Sequence, residues 1–251
     1  MLSEPPPLRR RLLAECVGTL LLVTVVVGSG IAAQRLSPGD VGLQLLQNST
    51  ATVLGLTVLI LLLGPVSGAH LNPVVSVVDW ALGRRRGTGL SGGDALGYAA
   101  AQTVGAVAGA LLADVMFAEP VALATTERDD WHLWVGEVVA TAGLVALVLG
   151  LARTGRGVLA APAVGAYIGA AYWFTSSTSF ANPAVTVGRA FSDTFAGIAP
   201  ASVPGFVAAQ VLGAAVGVLL ARALYPDVAG AAGHVVVPTS TGSPPAEKAV
   251  P

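Results

Sequence analysis

A chain of 251 residues that is 54% hydrophobic and 11% charged, with a mean hydropathy of +0.74, lies outside the composition range of soluble domains. Its 13 Lys and Arg against 14 Asp and Glu leave no overall basic attraction to nucleic acid. The single cysteine, Cys16, excludes an internal disulfide and reads as a small packing residue.

Residues 1–11, with Pro5-Pro6-Pro7 and Arg9 to Arg11, read as a loose cytoplasmic leader. The apolar run 12–33 follows. It is longer than the hydrophobic region of a signal peptide and lacks a cleavage site, so it stays as a first membrane span. A hydrocarbon layer of roughly 30 Å needs about 20 helical residues. Six runs meet that requirement: 12–33, 43–63, 94–113, 132–151, 158–175 and 202–224.

Two shorter apolar segments, 72–82 and 182–191, follow spans two and five. Eleven helical residues cover only about half of the apolar layer, so these segments must enter it and return. Each opens on Asn-Pro, in Ser67-Gly-Ala-His-Leu-Asn-Pro-Val and Thr178-Ser-Phe-Ala-Asn-Pro-Ala-Val. Asn offers a side-chain oxygen to free backbone donors and Pro suits the first helical position, so Asn72-Pro73 and Asn182-Pro183 are helix starts. Irregular backbone at bilayer depth is tolerated only where protein surrounds it or it lines an aqueous cavity, so the pair implies a pore.

The two halves of the chain match. Glu15-x-x-x-Thr19 corresponds to Glu137-x-x-x-Thr141, Asn72-Pro73 to Asn182-Pro183, and Ala101-Gln102-x-x-Gly105 to Ala209-Gln210-x-x-Gly213. An odd number of spans separates matched features, which describes an inverted repeat. The expected fold is an all-α membrane protein with six transmembrane helices and two re-entrant half-helices. Its channel domain covers 12–225, with repeats 12–113 and 132–225, and a disordered cytoplasmic tail rich in Gly, Ala, Pro, Ser and Thr covers 226–251.

Basic residues mark one side: Arg9 to Arg11, Arg84 to Arg86, Arg153, Arg156 and Arg222. The opposite connections hold Arg35 and Asp40, then Glu119, Glu127, Arg128, Asp129 and Asp130, then Arg189 and Asp193. The positive-inside rule therefore puts both termini in the cytoplasm, for a multi-pass protein of the plasma or inner membrane. Trp131, Trp134, Tyr167, Tyr172, Trp173 and Phe174 read as interfacial aromatics, and Asp79-Trp80 with Arg84 to Arg86 as the cytoplasmic rim.

Half-helix N-termini at the midplane would present free N–H groups and about half a positive charge to the centre, repelling cations. Asn72 and Asn182 are expected to cap with the side-chain oxygen and turn the amide toward the lumen, where a water accepting from both would break a proton-conducting chain. Glu15 and Glu137 are costly in apolar spans and need partners. A proton relay is one reading; acceptance of hydrogen bonds from the re-entrant loops is preferred. His70 is either a pore-lining donor or a loop-ordering residue.

These residues resemble the aquaporin or major intrinsic protein family over nearly the whole chain, from Glu15 to Leu224. Ser67-Gly-Ala-His-Leu-Asn-Pro is similar to that family's first signature loop, with Val74 for its usual Ala, and Asn182-Pro183-Ala184 keeps the second. The resemblance implies a homotetramer in the lipid bilayer with one pore per subunit, passing water or small neutral solutes without a cofactor. It also implies a filter of four positions. Motif offsets give Thr52 or Leu54 on span two, Ala170 on span five, Ser179, and Val185 where the family's arginine normally stands. Such a set is wider and less charged, which admits glycerol-like solutes. The text Thr178-Ser-Phe-Ala-Asn-Pro-Ala-Val-Thr-Val-Gly-Arg is similar to bacterial aquaporins found beside arsenic-resistance genes, which adds neutral arsenite. Arg189, one helical turn past Val185, could reach the vestibule by i,i+4 spacing. The preferred reading is a solvated charge or a partner of Asp193.

A secondary transporter also uses inverted repeats and broken helices. It would need charges at its substrate site, and here only Glu15 and Glu137 lie deep, each paired by symmetry with a loop. An enzyme has no support, because the sequence offers no metal-ligand cluster, no phosphate-cradling loop and no nucleophile beside a base.

Overall fold

The computed structural model describes residues 6–85 and 87–225. The expected tail 226–251, the leader residues before Pro6, and Arg86 lie outside the described residues. The regular structure among the described residues is helical: α1 Leu8–Leu36, α2 Val41–Ser67, α3 Pro73–Gly83, α4 Gly92–Phe117, α5 Trp131–Arg153, α6 Ala160–Phe174, α7 Pro183–Arg189 and α8 Val203–Leu224, with short 3-10 turns ahead of α6 and α8.

Among the described residues six helical segments are long and apolar enough to cross a membrane, the fifth and sixth counting the 3-10 turns that lead into α6 and α8. α1, α2 and α4 exceed the apolar runs by about two to four residues at each end. The leader is the clearest departure. Arg9, Arg10 and Arg11 belong to the first turns of α1 rather than to a loose segment, because Arg11 pairs with Asp94 at 2.9 Å and so ties that turn to the start of α4. α2 opens on Asp40, whose side chain accepts from Leu43 N at 2.9 Å, and closes on Gly68 in the left-handed conformation.

The two repeats are built on the same close approaches. A Cβ on Gly105 of α4 would lie 2.1 Å from Cys16 O of α1, and one on Gly109 would lie 2.2 Å from Leu20 O. In the second repeat Gly213 and Gly217 of α8 stand in the same relation to Val138 O and Ala142 O of α5, at 2.6 and 2.5 Å. Lipid supplies no hydrophobic drive between helices, so contact must come from backbones approaching closely at small residues. These two tight pairs, α1 with α4 and α5 with α8, hold α3 and α7 between them.

Candidate functional site

Both re-entrant loops hang on a buried carboxylate. Glu15 Oε1 accepts from Ser67 Oγ at 2.6 Å and His70 N at 3.0 Å, while Oε2 accepts from Leu71 N and Gln102 Nε2, each at 2.7 Å. Glu137 repeats the pattern, accepting from Phe180 N at 2.9 Å, Ala181 N at 2.8 Å and Gln210 Nε2 at 2.6 Å. Each Gln continues inward to the half-helix, Gln102 to Ser76 Oγ at 3.2 Å and Gln210 to Thr186 Oγ1 at 2.8 Å. The carboxylates are fully buried and their oxygens are occupied as acceptors.

That pinning shapes the loops. Ala69 and Leu71 in the first loop, and Ser179 and Ala181 at the matching places in the second, have positive φ between 47° and 50°. Such backbone costs a non-glycine residue about 1 kcal/mol or more and persists because the surroundings enforce it. In a planar trans peptide the carbonyl opposes the N–H. Drawing the N–H groups of His70 and Leu71 to Glu15 therefore turns the Ala69 and His70 carbonyls away from it, and Glu137 does the same for Ser179 and Phe180. All four of these residues line the central cavity.

The two asparagines meet across the repeat axis. Asn72 Oδ1 caps α3 through Val74 N at 3.1 Å, and Asn182 Oδ1 caps α7 through Ala184 N at 3.0 Å and Val185 N at 3.3 Å. Their amides cross: Asn72 Nδ2 donates to Ala181 O at 2.8 Å, and Asn182 Nδ2 donates to Leu71 O at 2.7 Å. The sequence leads one to expect the amides to turn toward the lumen as donors. Instead one N–H of each ties the opposite loop, which leaves the second N–H of each to the cavity that both residues line. Pro73 and Pro183 take the first helical positions. Val74 and Ala184 are buried but lie outside the cavity lining, where Val75 and Val185 stand instead.

His70 sits edge-on to Tyr98, with ring centres 5.4 Å apart, and its Nδ1 lies 3.1 Å from Ser76 Oγ. Phe180 and Phe206 take the corresponding places in the second repeat, 5.0 Å apart. Ser76 Oγ already donates to Asn72 O at 3.3 Å and accepts from Gln102. Its free lone pair thus accepts from Nδ1, and Nε2 is left as the acceptor of the imidazole. His70 both lines the cavity and orders the loop.

The cavity, about 60 Å³ in volume, runs along helical rows of i,i+4 spacing: Leu22 and Val26 on α1, Thr52, Leu56 and Ile60 on α2, Leu144 and Val148 on α5, and Val164, Ile168 and Tyr172 on α6. These rows correct two expectations for the filter. Leu54 is 63% exposed on the outer face of α2, so Thr52 is the lining residue. Ala170 is also exposed, because it lies half a turn off the row that Val164 starts, and Tyr172 takes its place. Tyr172 is therefore not an interfacial aromatic. It is buried, with its hydroxyl 3.2 Å from Thr52 Oγ1, whereas Trp173 and Phe174 are exposed as expected.

Ser179 and Val185 are both buried in the cavity wall, and Ser179 Oγ has no protein partner among the described residues. Arg189 departs most from expectation. It is 3% exposed and lines the cavity, with its guanidinium 3.4 Å above the centre of the Phe180 ring and Nε donating to Ala196 O. Asp193 is not its partner, since Asp193 Oδ1 accepts from Thr125 N at 2.8 Å and Thr125 Oγ1 at 3.0 Å. Arg128, in the loop ahead of α5, also stands over Phe180 at 5.3 Å, and burial holds its guanidinium below the usual arginine range. Asp79 is buried rather than part of a solvated rim, and accepts from Leu90 N at 2.6 Å. Tyr172 was legible in the phase of α6, but nothing local marks Arg189 or Asp79 as buried.

Residues 3–179 match the sequence model of the Major intrinsic protein family. The chain is 48% identical over 217 residues to aquaglyceroporin AqpS of Rhizobium meliloti (strain 1021), covering 86% of this chain and 90% of AqpS. It is 32% identical over 202 residues to aquaporin NIP2-1 of Oryza sativa subsp. japonica, covering 77% of this chain and 65% of that protein. Its fold is similar to the X-ray structure of the aquaglyceroporin from Plasmodium falciparum, with a TM-score of 0.59 and 18% identity over 88% of this chain and 99% of that one. A multi-pass membrane chain with six apolar helices and paired Asn-Pro half-helices, it belongs to the major intrinsic protein family.

Proposed function

We propose that this protein is a passive channel for water and small uncharged solutes, including glycerol-like molecules and neutral arsenite, that excludes protons and other ions. The observation that carries the reading is a cavity lined from Thr52, Tyr172 and Arg189, past the crossed asparagines, to Ile60 and Val164. One flank is apolar. The other carries loop carbonyls and the free amide hydrogens of Asn72 and Asn182, so a solute that loses hydration finds acceptors and donors only in a line.

Val at position 185, Ser179 and Thr52 leave the outer part of the cavity without an aromatic and arginine pair at the usual offsets, which favours solutes larger than water. The 48% identity to an aquaglyceroporin supports the same choice. At the centre, α3 and α7 direct their electropositive N-termini toward the lumen, and a water accepting from both Asn amides must turn its hydrogens outward. This supports exclusion of protons and cations. The protein is further read as a homotetramer in a plasma or inner membrane, one pore per subunit, with both termini cytoplasmic. It requires no cofactor and performs no catalysis.

Stopped-flow light scattering on proteoliposomes tests the reading. Osmotic shock is expected to shrink vesicles holding the protein several times faster than empty ones, with glycerol and arsenite entering at rates above the lipid background. Vesicles no more permeable than lipid alone would end the proposal.

A further inference from the structure

We propose that Arg189 is the working guanidinium of the outer constriction, standing one helical turn beyond Val185, where it rejects cations and donates to the oxygen atoms of passing neutral solutes; the assignment rests on the channel reading above. Seven residues after each asparagine the chain carries a buried charge, Asp79 in α3 and Arg189 in α7. The two are used differently. Asp79 turns to its own following loop, to Leu90 N, and lies outside the cavity wall, whereas Arg189 lies within it.

The guanidinium is held rather than loose. Phe180 supports one face at 3.4 Å, Ala196 O fixes Nε, and the next carbonyl, Gly197 O, holds Arg128 Nε at 2.9 Å. Among the described residues no carboxylate pairs with Arg189, because Asp193 serves Thr125 and Glu137 serves the loop behind Phe180. An arginine carries five N–H donors. One is used by Ala196, and no acceptor among the described residues takes the other four, so they are left to the cavity that the side chain lines.

A buried charge without a counter-charge is retained in a membrane where it faces water or a polar pathway. The same wall holds the Thr52 and Tyr172 hydroxyl pair and the unpartnered Ser179 hydroxyl. A polyol or neutral hydroxide would meet a fixed cation and three hydroxyls, which suits oxygen acceptors. A monovalent cation of the same size would meet an uncompensated positive charge.

Full-length protein in proteoliposomes decides the matter, with methylammonium at acid pH as the cation probe and formamide and water as neutral references. Arg189→Met removes the charge yet keeps apolar packing on Phe180, and is expected to raise the methylammonium-to-water permeability ratio about tenfold, or about 1.4 kcal/mol of barrier. Arg189→Lys should stay near the wild-type ratio. A role in folding alone would lower yield and leave the ratio of the surviving channels unchanged, and that result overturns the assignment. Should Arg189→Met fail to insert, Arg189→Gln carries the same expectation and the same refutation. Wild-type vesicles that pass neither water nor formamide would instead sink the channel reading.

Discussion

Glu15 and Glu137 illustrate how a single side chain can set the shape of a lumen without touching what passes through it. Four donors converge on Glu15, two of them backbone N–H groups of residues held at or beside positive φ. A relay would need an oxygen free to take and release a proton toward the lumen, and both oxygens are engaged. Substituting Gln places an NH₂ against donors and leaves buried groups unpaired, at a cost of about 3 kcal/mol. Glu15→Gln and Glu137→Gln are each expected to lower folded yield and thermal stability in detergent, with unit permeability of the surviving channels changed less. Stable variants that conduct poorly would restore the relay. The carboxylates were visible in sequence as a repeated Glu-x-x-x-Thr, and so was the preference for loop donors, because an apolar span offers a carboxylate nothing else.

Helix pairing rests on glycines whose neighbours are backbone, which cannot yield as a side chain can. The Gly105 position meets Cys16 O at 2.1 Å, so a methyl group there must separate α1 from α4. Gly105→Ala is expected to cost about 3 kcal/mol, read as a lower melting temperature of the purified protein. Gly93→Ala, in the first turn of the same helix with nothing nearer than Ser91 Oγ at 3.8 Å, should change stability by no more than about 0.5 kcal/mol. Equal losses at the two sites would show that propensity rather than contact governs α4. The phase of α6 belongs here too. Counting by motif offset selected Ala170, but the helix turns Val164, Ile168 and Tyr172 inward because α6 packs against α2 through Gly165 and Gly169, whose Cβ positions would collide with Thr57 and Val53 side chains at 2.2 Å. Offsets carried between chains do not record such rotations.

Across the molecule, the inverted repeat makes the two loops cross-braced rather than merely adjacent. Asn72 donates to Ala181 and Asn182 to Leu71, over separations of 109 and 111 residues. Each half-helix tip is thus tied to the opposite loop as well as to the carboxylate of its own half. Flux is therefore expected to follow the solute gradient alone, unaffected by imposed sodium, proton or electrical gradients, while a preset pH difference across the vesicle survives. A pH gradient that collapses faster than in empty liposomes would remove proton exclusion, and uptake driven by an ion gradient would favour a transporter.

The spans, the two half-helices and their repetition could be read directly from the chain, because they are written in local signals: apolar run length, Asn-Pro as a start, and matched motifs at one offset. The burial of Arg189 could not. Its place depends on Phe180, two residues before Asn182 and nine before Arg189, and on Ala196 folding back beyond α7 to accept from Nε. The i,i+4 relation to Val185 allows a lining charge, but the sequence favours a solvated charge or a partner of Asp193. Which of them holds is set by the surrounding walls, since a guanidinium keeps its water unless other elements close over it and supply a ring, a carbonyl and a polar cavity in exchange.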